Sequence, residues 1–335
     1  MESGHEKGGR KMKRNASIEL FRLLLMFGIC LLHSAINPGY SRAWFINITC
    51  FCVTAFAFIS GYYGASFRPS KIVRLVGTGV ICALICGRGN ISRAWGIYGG
   101  YWFLHAYVLM MCLAPLVDGA ISRKGAIAVA MPLLVAVFVW GDLPSLPFFS
   151  RLNIPVTPGL EAYSGLTLLG AYVAARIYRL YGLERMRGRW VVVIIPILVC
   201  FAALGMNEYN NIVALFLSAM FFTAFDKIRL PSWLSRVALI LSPSVFAIYL
   251  FHQPEIDFEV GIVRSWIDRG CNIYIAYFAA ALTVFFLAMA VDLPRRLAER
   301  IMRPILVRAY TLIDGCYDSV LAWIDGCLGK IGSES

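Results

Sequence analysis

Long apolar runs broken by short polar interruptions make up most of this chain. "IELFRLLLMFGICLLHSAI" (18–36) sets the pattern. It is apolar enough for a helix to cross the ~30 Å hydrocarbon core of a bilayer. Ten such runs follow one another, at roughly 17–36, 44–65, 71–87, 101–120, 125–141, 160–180, 190–206, 209–226, 236–253 and 273–293. Each has about the 17–25 residues that a spanning helix needs. The connections are short, which makes consecutive helices antiparallel neighbours. The pattern predicts an all-α, polytopic integral membrane protein with about ten transmembrane helices.

Composition agrees with that pattern. Of the 335 residues 59% are hydrophobic and 15% charged, against about 45–50% and about 25% in soluble domains. The mean hydropathy is +0.71. The formal net charge of +12 would suggest nucleic acid on a soluble chain. Here the cations sit in short loops, where they orient helices in the membrane, so no nucleic-acid partner is expected. With the N-terminus in the cytoplasm, twenty-two Lys and Arg fall in cytoplasmic segments and six on the other side. That bias predicts two cytoplasmic termini, and an odd number of spans would scramble it. The layout is a basic N-terminal segment (1–16), a transmembrane unit (17–293) and a cytoplasmic tail (294–335). The opening segment resembles the n-region of a signal peptide, but the run after it is too long and too charged for an h-region. It reads as a retained first span, with membrane lipid as a partner. The tail is basic, then amphipathic, and nearly repeats "LIDGC" (312–316) as "WIDGC" (323–327). An 11-residue period keeps one helix face, which suits an interfacial or accessory surface helix.

The ten cysteines include no CxxC pair and no cluster with zinc spacing. They read as small buried hydrophobes, and no metal is expected. No phosphate-binding GxxxxGK[ST] loop and no HExxH is present.

The first run carries groups that a bilayer excludes. Glu19, Arg22 and His33 all lie within it. Eleven residues separate Arg22 from His33, three turns plus about 20°, so both point the same way, ~16 Å apart along the axis. Glu19 lies three residues before Arg22 on nearly the same face and can pair with it. A charge at bilayer centre costs about 2.5–3.5 kcal/mol on insertion scales, and such residues face a bundle interior or wet cavity. Histidine has the pKa of a base near neutrality. Snorkelling of Arg22 and a structural role for His33 are the plain alternatives for each residue alone.

"RNASIELFRLLLMFGICLLH" (14–33) resembles the opening of the membrane acyltransferase family 3 proteins. "NITCFCVTAFAFISGYY" (47–63) is similar to that family's second helix, ending in Ser-Gly-aromatic. "YWFLHAYVLMMCLAPLVD" (101–118) is similar to its Trp-Phe-x-x-x-Tyr helix ending in proline. "VFAIYLFHQP" (245–254) is similar to its late Tyr-Leu-x-His segment. The resemblance implies a ten-helix enzyme of a bacterial cytoplasmic membrane. Such an enzyme moves an acyl group, usually acetyl from acetyl-CoA, onto a hydroxyl of a cell-surface polysaccharide or lipid-linked glycan. Acetyl-CoA is then a co-substrate, and no cofactor is bound permanently. The family's essential Arg and His map onto Arg22 and His33. Its basic Arg-x-x-Arg maps onto Lys71-Ile-Val-Arg74, with Arg68 just before; lysine departs from the pattern and gives charge without a bidentate fork.

Transfer from a thioester to an alcohol needs a base, oxyanion stabilisation and cations for CoA phosphate. His33 is the candidate base, with Arg22 and Glu19 in the same stripe. Arg14, Arg68, Lys71 and Arg74 are the candidate donor cations, though they also serve as a plain positive-inside loop. Glu161, Tyr63, Trp102, His105, Tyr249 and His252 are candidate acceptor contacts, each with a structural alternative. Glu255, Asp257 and Glu259 read as a solvated acidic outer loop. The rival classes are a secondary transporter and a non-catalytic scaffold of glycan assembly. No matched pair of Gly/Pro-broken spans supports transport.

Overall fold

Apolar 3.6-residue periodicity becomes helix over most of the described backbone. The computed structural model describes residues 14–36, 48–65, 67–121, 165–185, 188–205, 212–252 and 256–333. Among these there is no strand. The helices are α1 (Ala16–Ile36), α2 (Phe51–Tyr63), α3 (Pro69–Cys86), α4 (Ile91–Gly99), α5 (Trp102–Ile121), α6 (Gly165–Leu180), α7 (Gly188–Gly205), α8 (Ile212–Lys227), α9 (Ser232–Leu241), α10 (Val245–His252), α11 (Ile256–Asp268) and α12 (Ile273–Ser333). Every predicted run except 125–141, which lies outside the described residues, overlaps a helix in its described part. Among the described residues, five stretches are long and apolar enough to cross a membrane: Ala16–Ser34, Pro69–Cys86, Trp102–Ile121, Ser232–His252 and part of Ile273–Ile324.

Three features depart from the simple alternation of spans. A short helix, α4, fills the turn between the third and fourth runs, its Asn90 side chain accepting the Arg93 N–H at 3.0 Å. The run at 236–253 is interrupted by a 3-10 turn at Ser242–Ser244, which contains Pro243 and splits it into α9 and α10. Helix α12 does not stop at the membrane edge. It continues from the last apolar run to Ser333, with Pro294 and Pro304 inside it, each removing one intrahelical hydrogen bond.

Helix α1 is the hub. It touches α2, α8, α9, α10, α11 and α12, and 56% of its span is buried inside the protein, against 22% for α3. Phe21 stacks on Phe225 of α8 at 4.7 Å between ring centroids, and Phe51 of α2 stacks on Phe221 at 5.2 Å. Helices α2 and α6 pack tightly at Gly61, where a Cβ would overlap the Tyr172 carbonyl oxygen and lie 2.8 Å from the Tyr172 Cα. Only glycine permits that contact. Gly64 closes α2 with φ +82°, its N–H bonded to Ser60 O.

Hydrogen bonds gather the basic helix ends at one end of the bundle. Asn15 donates to Asp226 at 3.0 Å, and Ser17 Oγ to Ile228 O at 2.7 Å. Arg179 donates to Tyr62 O at 2.8 Å. Arg176 pairs with Asp118 at 2.8 Å, and Tyr172 Oη donates to the same carboxylate at 3.1 Å. The starts of α1 and α3 and the ends of α2, α5, α6 and α8 therefore share one face.

Candidate active site

The polar stripe of α1 faces a cavity. Residues Glu19, Arg22, Met26, Ile29 and His33 line it, spaced as one face of a helix. The cavity has a volume of about 390 Å³ and is walled by α1, α2, α3, α5 and α10. From Glu19 to His33 it follows α1 for ~21 Å. Its walls are mostly apolar, with Val53, Phe56 and Ile59 from α2, Met111 from α5, and Val245 and Phe246 from α10.

The cationic end is built around one carboxylate. Glu19 is buried, and its two oxygens serve two different arginines: Oε1 accepts from Arg14 at 3.0 Å, and Oε2 from Arg22 at 3.1 Å. The three-residue spacing of Glu19 and Arg22 makes the second contact local. Charge-assisted bonds of this kind hold a guanidinium in one orientation. Lys71 of α3 lines the same end of the cavity, as do Tyr63 and Gly64.

Arg68 and Arg74, expected beside Lys71 as donor cations, lie off the cavity wall. Both are engaged by the tail. Asp318 accepts from Arg68 Nη1 through both oxygens, at 2.8 and 3.0 Å. Glu299 accepts from Arg74 at 3.2 Å. Between them, Asp314 accepts from the backbone N–H and the hydroxyl of Ser70, at 3.1 and 2.7 Å. The start of α3 has no side-chain cap of its own, so Asp314 satisfies one of its orphan N–H groups from a distant part of the chain.

The far end carries His33, Trp102 and Tyr249. Tyr249 Oη accepts the backbone N–H of Phe103 at 3.1 Å, which leaves its own O–H to donate elsewhere. His252 does not reach the cavity. It is fully buried behind His33, with ring centroids 5.0 Å apart. His105 is exposed on α5, against Tyr98 at 5.1 Å, away from the cavity. Glu161 lies outside the described residues. Two wall residues were not singled out from sequence: Ser60 and Tyr107, whose hydroxyls are 3.0 Å apart. Both belong to motifs quoted above, Ser-Gly-aromatic and Trp-Phe-x-x-x-Tyr, and that membership was the available signal.

Glu259 corrects the reading of 254–272 as a merely solvated acidic loop. It sits on α11, is 0% exposed, and neither carboxylate oxygen has a partner among the described residues. Burial pushes its pKa up to about 8, because removal from water disfavours the charged form.

A protein-family model described as an acyltransferase domain matches residues 15–293. The chain belongs to the acyltransferase 3 family. None of the curated proteins and none of the solved structures matches it. For a membrane acyltransferase the matched range is informative. It begins just before the Glu19–Arg22–His33 stripe and ends at Leu293, where the last apolar run gives way to Arg295 and the tail. The clasping acids Glu299, Asp314 and Asp318 lie beyond it.

Proposed function

We propose that this membrane acyltransferase transfers an acetyl group from acetyl-CoA to a hydroxyl of a cell-surface polysaccharide or lipid-linked glycan, with His33 as general base. One observation carries the reading: a single cavity joins Arg22 and Lys71 at one end to His33 at the other. The positive-inside bias puts the cationic end at the cytoplasmic face, where CoA is available, and His33 in the outer half of the membrane.

Arg22, held by Glu19, and Lys71 attract the CoA phosphates, while the apolar walls accept the pantetheine arm. His33 removes the proton of the acceptor hydroxyl as its oxygen attacks the thioester carbonyl. Tyr249, whose O–H has no acceptor among the described residues, donates to the tetrahedral oxyanion. The intermediate collapses, the C–S bond breaks, and the imidazolium returns its proton to the thiolate. Trp102 and Tyr63 offer aromatic faces to a sugar.

Purified protein in detergent or nanodisc, given acetyl-CoA and a polyol or glycan acceptor, tests this. Release of CoA that requires Arg22 and His33 is the expected result. An intact protein that binds acetyl-CoA but releases none above buffer would favour a scaffold. Acceptor uptake into sealed vesicles without CoA release would favour a transporter.

A further inference from the structure

The ring behind His33 explains how a membrane-buried imidazole is kept ready to accept a proton. A neutral histidine has one N–H and one bare nitrogen, and the partner of the N–H decides which is which. The cavity-side nitrogen of His33 must be the bare one if it is to take a proton from a hydroxyl. Its other nitrogen then needs an acceptor, away from the cavity.

His252 supplies that acceptor. Its Nδ1 lies 2.6 Å from the Tyr249 carbonyl oxygen. A carbonyl only accepts, so Nδ1 carries the hydrogen. Nε2 is therefore the bare nitrogen. It is buried and has no hydrogen-bond partner among the described residues, a costly state that calls for an explanation. His33 stands next to it, ring centroids 5.0 Å apart and planes at 49°. Imidazole nitrogens lie about 1 Å from their ring centre, so at this centroid separation two nitrogens turned to face each other would be roughly 3 Å apart, a hydrogen-bonding distance. The two rings make no hydrogen bond as they stand, and turning a ring about χ2 until the nitrogens face each other forms it.

We propose that His252 is the positioning residue of His33: its Nε2 accepts the N–H of the far nitrogen of His33 and so leaves the cavity-side nitrogen bare. This deepens the assignment of His33 as base and rests on it. The chain of donors then runs from His33 to His252 to the Tyr249 carbonyl. When His33 takes the hydroxyl proton, the imidazolium keeps an acceptor for its far N–H inside a dry site. His252 holds its own proton throughout and touches no substrate, as its position off the cavity wall requires. The "YLFH" segment (249–252) thereby serves the site twice, with the Tyr249 side chain on the cavity wall and the Tyr249 carbonyl fixing His252.

The test uses the full-length purified protein and two substitutions. His252→Phe keeps the ring and removes the acceptor, whereas His252→Gln keeps an acceptor oxygen. Turnover per folded molecule and donor KM are measured for both, with His33→Ala in parallel. The expected result is a fall in kcat of about 10²-fold for His252→Phe, donor KM within about twofold of wild type, and recovery of at least about tenfold in His252→Gln. If the phenylalanine variant does not fold, His252→Leu makes the same comparison. Wild-type kcat in the variant without an acceptor overturns the inference, provided His33→Ala is inactive. Equal losses in the variants with and without an acceptor overturn it as well, since they indicate packing. Turnover that survives in His33→Ala removes the base itself, and the positioning role with it.

Discussion

Glu259 shows how little of a side chain's environment is written in its neighbours. "EIDFE" (255–259) looks like a solvated acidic turn, yet α11 packs on α1 and α12 and buries the last carboxyl. The consequence is a pH dependence of definite sign. Its folded pKa, about 8, exceeds the ordinary carboxylate value near 4.5. Between those values the folded protein keeps a proton that the unfolded chain has lost, so stability falls as pH rises across that window and levels off above it. Thermal unfolding in detergent should therefore show Glu259→Gln more stable than wild type by several degrees at pH 8, with the difference vanishing near pH 4. A wild-type melting temperature independent of pH, with no gain in the variant, would contradict the buried placement. Gly61 makes the converse point, since its role is fixed by the backbone of another helix. Gly61→Ala forces α2 away from Tyr172 of α6 and should cost about 1–3 kcal/mol. An unchanged melting temperature would rule out that close contact.

Among the elements, α1 was the most legible. Its stripe depends only on 3.6-residue geometry, so eleven residues of sequence suffice to place Arg22 and His33 on one face. The Glu19–Arg22 contact was legible for the same reason. The clasp of α12 on the start of α3 was not, because its partners lie some 225 to 250 residues apart in sequence. It changes the expectation for the donor cations. Arg68 and Arg74 make exposed ion pairs, and such pairs are typically worth 0–1 kcal/mol, whereas Lys71 borders the cavity. Lys71→Ala should raise the donor KM by about tenfold, consistent with loss of one phosphate contact. Arg68→Ala should change it less than about threefold. The opposite order, measured by acetyl-CoA titration, would return the donor site to the α3 entrance now covered by the tail. The outward face of that tail is apolar and exposed at Leu297, Ile301, Ile305, Leu312 and Trp323, spaced along one side as the amphipathic reading anticipated.

At the scale of the whole molecule, the Lys and Arg count predicts alternating orientation, and hydrogen bonds gather several basic helix ends at one end of the bundle. Counting Lys and Arg assigned sides without any contacts. The hydrogen bonds from Asn15, Ser17 and Arg179, and the Arg176–Asp118 pair, join those same ends without any count of charge. The sequence pattern identified helices well because a bilayer rewards long apolar runs. It missed α4 and α11, which are too short or too amphipathic to register as spans, and the break at Pro243 within an otherwise continuous run. The orientation is open to labelling in a cysteine-free background. Asp268→Cys, exposed on the α11 side, should react with an impermeant thiol reagent in intact cells, and Ser333→Cys should react only after lysis. Labelling of Ser333→Cys in intact cells would invert or break the topology.

The central claim is that the cavity is a catalytic passage with His33 as its base, and the most direct measurement is turnover per folded molecule in two variants of that residue. His33→Ala should lose acetyl transfer by about 10²–10⁴-fold while the protein still inserts and binds donor. His33→Gln should be nearly as poor, because an amide can hydrogen-bond but cannot take a proton at neutral pH. Near-wild-type turnover in His33→Gln, with His33→Ala reduced only in folded yield, would contradict the claim and leave His33 a structural residue.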